Sequence, residues 1–215
     1  GQAGLAGSAM AFNGSGQHIR IGNPGLLNQL TNNFTVALWV RPNSYGGNRV
    51  LFGSNWQSQN GWSLRFSGTN LTLERLGPAQ VYAAGFSLPV AAWSHVAAVY
   101  GVSNDVTFFI DGVAMTNLPG SSAASPATQP WYVAANGGDY FNGRLDDVQI
   151  YQKALPAGAI AYLYANPGES LTDDTDHDGM ADAWEAAHQL AVGANDADGN
   201  PDLDAWSNAQ EYLAD

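Results

Sequence analysis

The chain has 215 residues, 45% of them apolar, with no cysteine and a formal net charge of −12. That length accommodates one sizeable domain and a small appendage, and the lack of cysteine excludes disulfides, thiol catalysis and zinc–thiolate sites. No stretch approaches the roughly 20 apolar residues of a membrane span, and no basic stripe could replace phosphate counterions, so neither membrane insertion nor nucleic-acid binding is expected.

The charge is unevenly placed. Residues 1–165 hold all seven Lys and Arg and only six acids, a net +1, whereas residues 166–215 hold ten Asp, three Glu and no base, a net −13. So sharp a step marks two regions with different chemistry.

In chain order, Phe34–Val40 alternates with Phe34, Val36, Leu38 and Val40 on one face, the period of a half-buried strand. Trp62–Phe66, Leu71–Leu76 and Trp93–Tyr100 follow as short strands between Gly, Asn, Ser and Pro. Asp105–Ile110 runs through Asp111-Gly112 into Val113, and an Asp-Gly pair between apolar runs is the strongest local hairpin signal. Arg144–Tyr151 is the last strand, and Leu155–Ala165 reads as one closing helix with Pro156 near its start. Many short strands with regular turns predict an all-β, two-sheet antiparallel sandwich of the jelly-roll kind rather than parallel βαβ units. Asn166-Pro167-Gly168 breaks the chain. We therefore divide it into residues 1–168, the sandwich, and 169–215, a small acidic loop-helix appendage with helical patterns at Ala181–Leu190 and Ser207–Ala214.

The appendage carries the most specific motif. Asp174, Asp176, Asp178, Gly179, Asp182 and Glu185 fit D-x-D-x-D-G-x-x-D-x-x-E without a gap. Calcium takes six to eight hard oxygen ligands at about 2.3–2.6 Å, and a 12-residue loop of this spacing wraps them around one ion. Asp174, Asp176 and Asp178 are expected to supply positions one, three and five, the Met180 carbonyl position seven, Asp182 position nine directly or through water, and Glu185 both its oxygens. Gly179 permits the sharp turn. A second copy offers Asn200, Asp202, Asp204, the Trp206 carbonyl, Asn208 and Glu211, but Asn200 replaces the first Asp and Ala205 stands where Gly belongs. With three carboxylates against five it should bind calcium more weakly. His177 is read as a variable loop position, not a ligand. Trp184 with Ala187 and His188, and Trp206 with Ala209 and Leu213, have the helical spacing expected of faces that pack against one another.

The order AMAFNGSGQHIRI, FTVALWVRP, GWSLRF, AWSHVAAVY, VTFFIDGV, FNGRLDDVQIYQKAL and AIAYLY resembles the laminin-G-like, concanavalin A-type jelly-roll domain of lectins and glucanases over about residues 4–165. The tail, DTDHDGMADAWE followed by NPDLDAWSNAQEYLAD, is similar to the thrombospondin type-3-like calcium repeats of bacterial surface and secreted proteins. These resemblances imply a module of a larger extracellular protein, with other domains of that parent chain as neighbours. They also imply a structural calcium between Asp147 and the Asn13-Gly14 turn, clamping the first and last strands.

Glycoside hydrolysis needs two carboxyls flanking the bond, yet residues 1–165 contain one Glu, Glu74, and the adjacent Asp146 and Asp147 point to opposite faces of a strand. No strand–Ser–helix elbow accompanies His18 or His95. We therefore expect no enzyme. Tyr45, Trp56, Trp131 and Tyr140 lie among Gly, Asn, Ser and Gln, where large rings are less expected; they either cap the ends of the sandwich or, clustered with Asn and Gln amides, form a sugar platform. The expectation is a non-catalytic carbohydrate-binding module for a polysaccharide or other glycan. The alternative is an adhesion or spacer module for protein partners, with the calcium repeats as a stiff connector.

Overall fold

The structure, a computed structural model, describes residues 2–5, 7–54, 60–76, 79–176 and 178–215. Its described residues form two large antiparallel sheets packed face to face. The first runs in the order β1 (Gln2–Ala3), β2 (Ser8–Asn13), β15 (Asn142–Tyr151), β4 (Phe34–Pro42), β9 (Ser94–Tyr100), β10 (Val106–Ile110), β11 (Val113–Leu118). The second runs β3 (Ile19–Gly22), β12 (Trp131–Val133), β5 (Asn48–Ser54), β6 (Gly61–Ser67), β7 (Asn70–Leu76), β8 (Gln80–Ser87). A two-stranded ribbon, β13 (Ala135–Asn136) and β14 (Asp139–Tyr140), lies against β5, and a four-residue helix, α1 (Gly25–Asn28), links the sheets. The neighbours of β15 are β2 and β4, so the last long strand pairs beside the first, the crossing of a jelly roll.

The alternation read in the sequence sets the inner layer. Phe34, Val36, Leu38 and Val40 of β4 face Trp62, Leu64 and Phe66 of β6 and Leu71 and Leu73 of β7 in one buried cluster. Each such side chain contributes roughly 1.5–3 kcal/mol of burial. The Trp62 ring stacks on Phe34 at 4.4 Å and its indole N–H donates to the Leu30 carbonyl at 3.0 Å. Asp111 and Gly112 both take positive φ, 47° and 77°, as a two-residue hairpin turn requires. The Asp111 carboxylate accepts from the His95 backbone N–H at 2.8 Å.

The outer face of the first sheet is covered too. Ala37, Ala97, Val99 and Phe109 pack under α2 (Ala157–Ala165) through Ile160, Tyr162 and Leu163. Pro156 occupies the N-cap, where no helical N–H bond is lost. The His95 ring lies between Trp39 and Tyr164 of α2, and burial pulls its pKa down to about 4.

The acidic region is tied to this outer layer. Leu171 and Ala183 join the cluster under α2, Tyr162 donates to Glu169 Oε2 at 2.8 Å, and Gln149 donates to the Glu169 carbonyl at 2.8 Å. It contains α3 (Asp182–Ala187) and α4 (Asn208–Ala214). The first is shorter than the sequence pattern because Gln189 takes φ 61° and Leu190 N–H bonds back to the Glu185 carbonyl at 2.9 Å, a left-handed helix end. No helix among the described residues is long and apolar enough to cross a membrane.

Candidate cation loops and candidate glycan surface

Residues 173–185 close into a loop of short polar side chains holding their own backbone. Asp174 Oδ1 and Asp176 Oδ1 each accept from Asp178 N–H at 3.2 Å, Asp174 Oδ2 accepts from Gly179 N–H at 3.1 Å, and Asp178 Oδ1 accepts from Met180 N–H at 3.0 Å. Gly179 has φ 94°, the left-handed backbone that a side chain disfavours. One oxygen from each of Asp174, Asp176 and Asp178 lies within 4.8 Å of the others, and a second such group joins Asp178 to Glu185 and Asp196.

Among the described residues, the polar accounting of this loop does not close. Glu185 is fully buried, yet neither of its carboxylate oxygens has a hydrogen-bond partner among the described residues, and the same holds for Asp176 Oδ2 and Asp196 Oδ1. A buried carboxylate without a partner costs several kcal/mol. Burial, and after it the charges of Asp176, Asp178, Asp196 and Asp182, push the Glu185 pKa up to about 7. A hard divalent cation held by oxygen alone fits these orphaned atoms.

Asp182 sits differently from its expected role. Its two oxygens accept from Thr175 N–H and Thr175 Oγ1, each at 2.7 Å, so the carboxylate braces the loop from within. Met180 is buried.

The second copy begins at Asn200, 26 residues after Asp174, and repeats the backbone pattern. Asp202 Oδ1 accepts from Asp204 N–H at 3.3 Å and Asp204 Oδ1 from Trp206 N–H at 2.6 Å. Asp182 N–H bonds to the Asp173 carbonyl, and at the matching place Asn208 N–H bonds to the Gly199 carbonyl. Asp202, Asp204 and Glu211 bring their oxygens together, the two aspartates exposed and Glu211 half-buried. Asn200 Oδ1 and Asn208 Oδ1 are buried without partners among the described residues. Ala205 escapes the left-handed backbone of Gly179; Leu203 takes it instead, at φ 63°.

The two helices meet through Trp184, whose ring is edge-on to Tyr212 at 5.3 Å and stacked on His188 at 4.0 Å. Trp206 and Leu213, expected at that contact, are exposed. His177 lies outside the described residues.

The expected clamp between Asn13 and Asp147 is not formed. Asn13 pairs with Asn142 at one end of β15, five residues from Asp147, a separation of about 16 Å along a strand. Asn13 Oδ1 accepts from Ser15 N–H, while Asp147, at φ 44° in a bulge, accepts from Gly168 N–H. Burial raises the Asp147 pKa, with that N–H opposing. The acid that meets the first strands is Asp146, which accepts from Leu5 N–H at 3.1 Å.

Of the four expected platform rings, Trp131 is a core residue. It is fully buried on β12, edge-on to Trp62 at 4.9 Å and stacked on Phe52 at 5.6 Å, and its indole N–H donates to Asn28 Oδ1 at 2.9 Å. Tyr45 caps the sandwich: its hydroxyl donates to the Leu88 carbonyl at 2.6 Å and its ring meets Phe66 edge-on. Trp56 lies outside the described residues. Tyr140 is half-buried on the ribbon, and there a surface group exists that the sequence reading missed. Exposed His18 bridges Tyr140, at 6.1 Å, and Tyr132, at 5.5 Å. Tyr132 stands beside Arg20 across the β12–β3 pair. Gln17, next to His18 in the chain, and Asn142, two residues from Tyr140, line a pocket of about 400 Å³ with Asn13, Asn43 and Arg144. Asn43 donates to Asn142 Oδ1 at 3.2 Å and Asn142 to Ser44 Oγ at 3.0 Å. Rings beside amides and a guanidinium offer stacking faces, donors and acceptors together. Glu74, the one glutamate of the sandwich, is paired with Arg65 at 2.9 Å.

The chain belongs to the concanavalin A-like lectin/glucanases superfamily, whose family model matches residues 13–161. No curated protein matches the sequence. Among solved structures, domain 4 of AbnA, a GH43 extracellular arabinanase from Geobacillus stearothermophilus solved with arabinotriose, is 23% identical over 75% of this chain and 78% of that one, with a TM-score of 0.64. The CBM40 of the Ruminococcus gnavus IT-sialidase, bound to α2,3-sialyllactose, is 11% identical over 73% of this chain and 96% of its own, at 0.59. The SAP-like pentraxin of Limulus polyphemus is 14% identical over 72% and 80%, at 0.54. At these identities the likeness is one of fold.

Proposed function

We propose that the chain is a non-catalytic carbohydrate-binding module of a larger secreted or surface protein, stabilised at its C-terminal side by calcium. The observation that carries the reading is the surface group of His18, Tyr132 and Tyr140, linked through the chain neighbours Gln17 and Asn142 to the amide pocket they line with Asn13 and Asn43. Pyranose and furanose rings stack on such aromatic faces while their hydroxyls exchange hydrogen bonds with amides. Support from outside the chain comes from the superfamily itself and from the arabinotriose and sialyllactose complexes of similar fold. The Arg65 guanidinium holds Glu74 in its charged form, which disfavours the general-acid role, and Glu74 is the one glutamate of the sandwich where hydrolysis calls for a carboxyl pair.

The acidic region acts as a calcium-stabilised repeat of the thrombospondin type-3-like kind, supported by the buried, unpartnered oxygens of Glu185 and Asp176. It stiffens the join between the module and the adjoining domain of the parent chain.

A shallow, wet surface gives modest affinity, micromolar to millimolar. A glycan array with and without calcium identifies the ligand. Tyr132→Ala with Tyr140→Ala should then abolish retention on that glycan while moving the melting temperature little, because both rings are only half-buried. Unchanged retention would place binding elsewhere, and release of reducing ends that Glu74→Gln abolishes would overturn the non-catalytic reading.

A further inference from the structure

Asp196 lies eleven residues beyond Glu185, in the connection leading to the second loop and outside the spacing of either calcium motif. Its backbone N–H donates to Asp178 Oδ2 at 3.2 Å, one of its carboxylate oxygens belongs to the close group with Asp178 and Glu185, and its Oδ1 is buried without a partner among the described residues. Its other oxygen, Oδ2, accepts from Ala191 N–H at 3.2 Å. A carboxylate brought this close to two others, with an oxygen that meets no donor among the described residues, is repelled unless a cation sits between them. Glu185 is the independent sign of that cation, because it is fully buried with both oxygens unpartnered in the same group.

We propose that Asp196 is a ligand of the first cation, supplying the carboxylate oxygen that Asp182 does not, so that the first site draws a ligand from the connection to the second repeat. This rests on the reading that the first loop binds calcium. Asp182 accepts from Thr175 through both oxygens and belongs to neither close group of oxygens in the first loop, whereas Asp196 joins Asp178 and Glu185 in one of them.

The second repeat sets the position of Asp196. The Asp196 carbonyl accepts from Asn208 Nδ2 at 2.8 Å and from Gly199 N–H at 2.7 Å. A Cβ on Gly199 would stand 2.8 Å from that carbonyl oxygen and 2.9 Å from Asn208 Nδ2, so only glycine lets the connection pass this closely. Asn208 thus serves as a positioning residue for the first cation, acting through the Asp196 backbone, while its own loop is the second. Calcium in the first loop is in this way a staple between the two repeats.

The test uses the full chain, with calcium and then terbium as probes. Asp196→Ala should weaken the tightest calcium event by about tenfold or more, and Asn208→Ala should weaken the same event by a smaller factor, as changes in an outer shell do. Terbium luminescence lifetimes in light and heavy water count coordinated water, and the Asp196→Ala variant should gain one. Glu185→Gln, which should lose the event altogether, is the reference. If the unmodified chain binds no calcium, the calcium reading itself falls. If it binds and Asp196→Ala titrates like the unmodified chain with no added water, Asp196 is no ligand and this inference alone is overturned. Far-ultraviolet circular dichroism of each variant keeps a folding defect distinct, and the conservative Asp196→Asn, which keeps an oxygen in place, should bind between the two.

Discussion

Replacing Trp131 by Ala separates a core role from a binding role. The ring is fully buried between Phe52 and Trp62, so its loss removes a full aromatic burial and leaves a cavity bounded by two other rings. Trp→Ala in a core costs about 3–5 kcal/mol. The lost indole bond to Asn28 adds about 1 kcal/mol at most, because Asn28 is half-buried and its Oδ1 can take a water instead. A total of about 3–6 kcal/mol translates, for a chain of this size, into a fall in melting temperature of roughly 6–24 °C. Trp131→Phe, which keeps a ring but drops the N–H, should cost about 1–3 kcal/mol. Urea titration is the assay, with a lowered midpoint and an unchanged slope expected, and glycan retention by the folded fraction should be preserved. A substitution costing under about 1 kcal/mol that nonetheless abolishes retention would refute the buried placement and restore Trp131 to the binding surface.

Chelation should produce a low-temperature calorimetric transition for residues 169–215 that rises with added calcium, above which the sandwich melts separately, because the net −13 of the tail loses its counter-charge. One transition moving as a whole would instead show that the contacts of Leu171 and Ala183 under α2 bind the two parts into one cooperative unit. Asp174→Ala should remove the tighter calcium event and spare the weaker, since the second loop presents only Asp202, Asp204 and Glu211, and equal affinities in the unmodified chain would count against this order. His95, held neutral with a pKa of about 4 against 6.5 when free, binds its proton more readily unfolded, so its contribution is complete above pH 6.5 and is lost as the pH falls toward 4. His95→Gln should flatten the stability profile in that window, and a parallel profile would show that the ring is not desolvated.

The strands that carry the inner core were legible because their alternation is local: Phe34–Val40 declares its buried face within seven residues. What was not legible depends on partners distant in the chain. Trp131 stands after Gln129-Pro130 in a stretch of turn residues, and only the pairing of the three-residue β12 with β3 and β5 puts it in the core. Asp146 and Asp147 read as residues on opposite faces. The bulge between Asp146 and Gln149 turns Asp147 toward Gly168 and leaves Asp146 to meet the first strands. Spacing alone places Asp182 at position nine of a calcium loop, and it cannot distinguish an oxygen offered to an ion from one spent on Thr175.

The two copies of the acidic repeat show the same limit in one comparison. Met180 and Trp206 hold equivalent positions, 26 residues apart, yet Met180 is 1% exposed and Trp206 48%. The larger and more apolar surface is the one left outside. Next to Met180 in the first repeat, Ala183 packs beneath α2 with Leu171, against an outer sheet face made of Ala37, Ala97, Val99 and Phe109. The counterpart of Ala183 is Ala209, which is only half-buried. Burial is therefore decided by what the sandwich presents, not by the repeat. On the proposed calcium reading, a loop whose acids are drawn together around a cation, with Ala183 packed against α2, would transmit the state of that cation to the layer covering β4 and β9. The hydrogen bonds of Glu169 to Tyr162 and Gln149 fix the same junction from the other side. If that reading holds, chelation should be felt first where α3 meets α2, and only through α2 by the outer face of the first sheet.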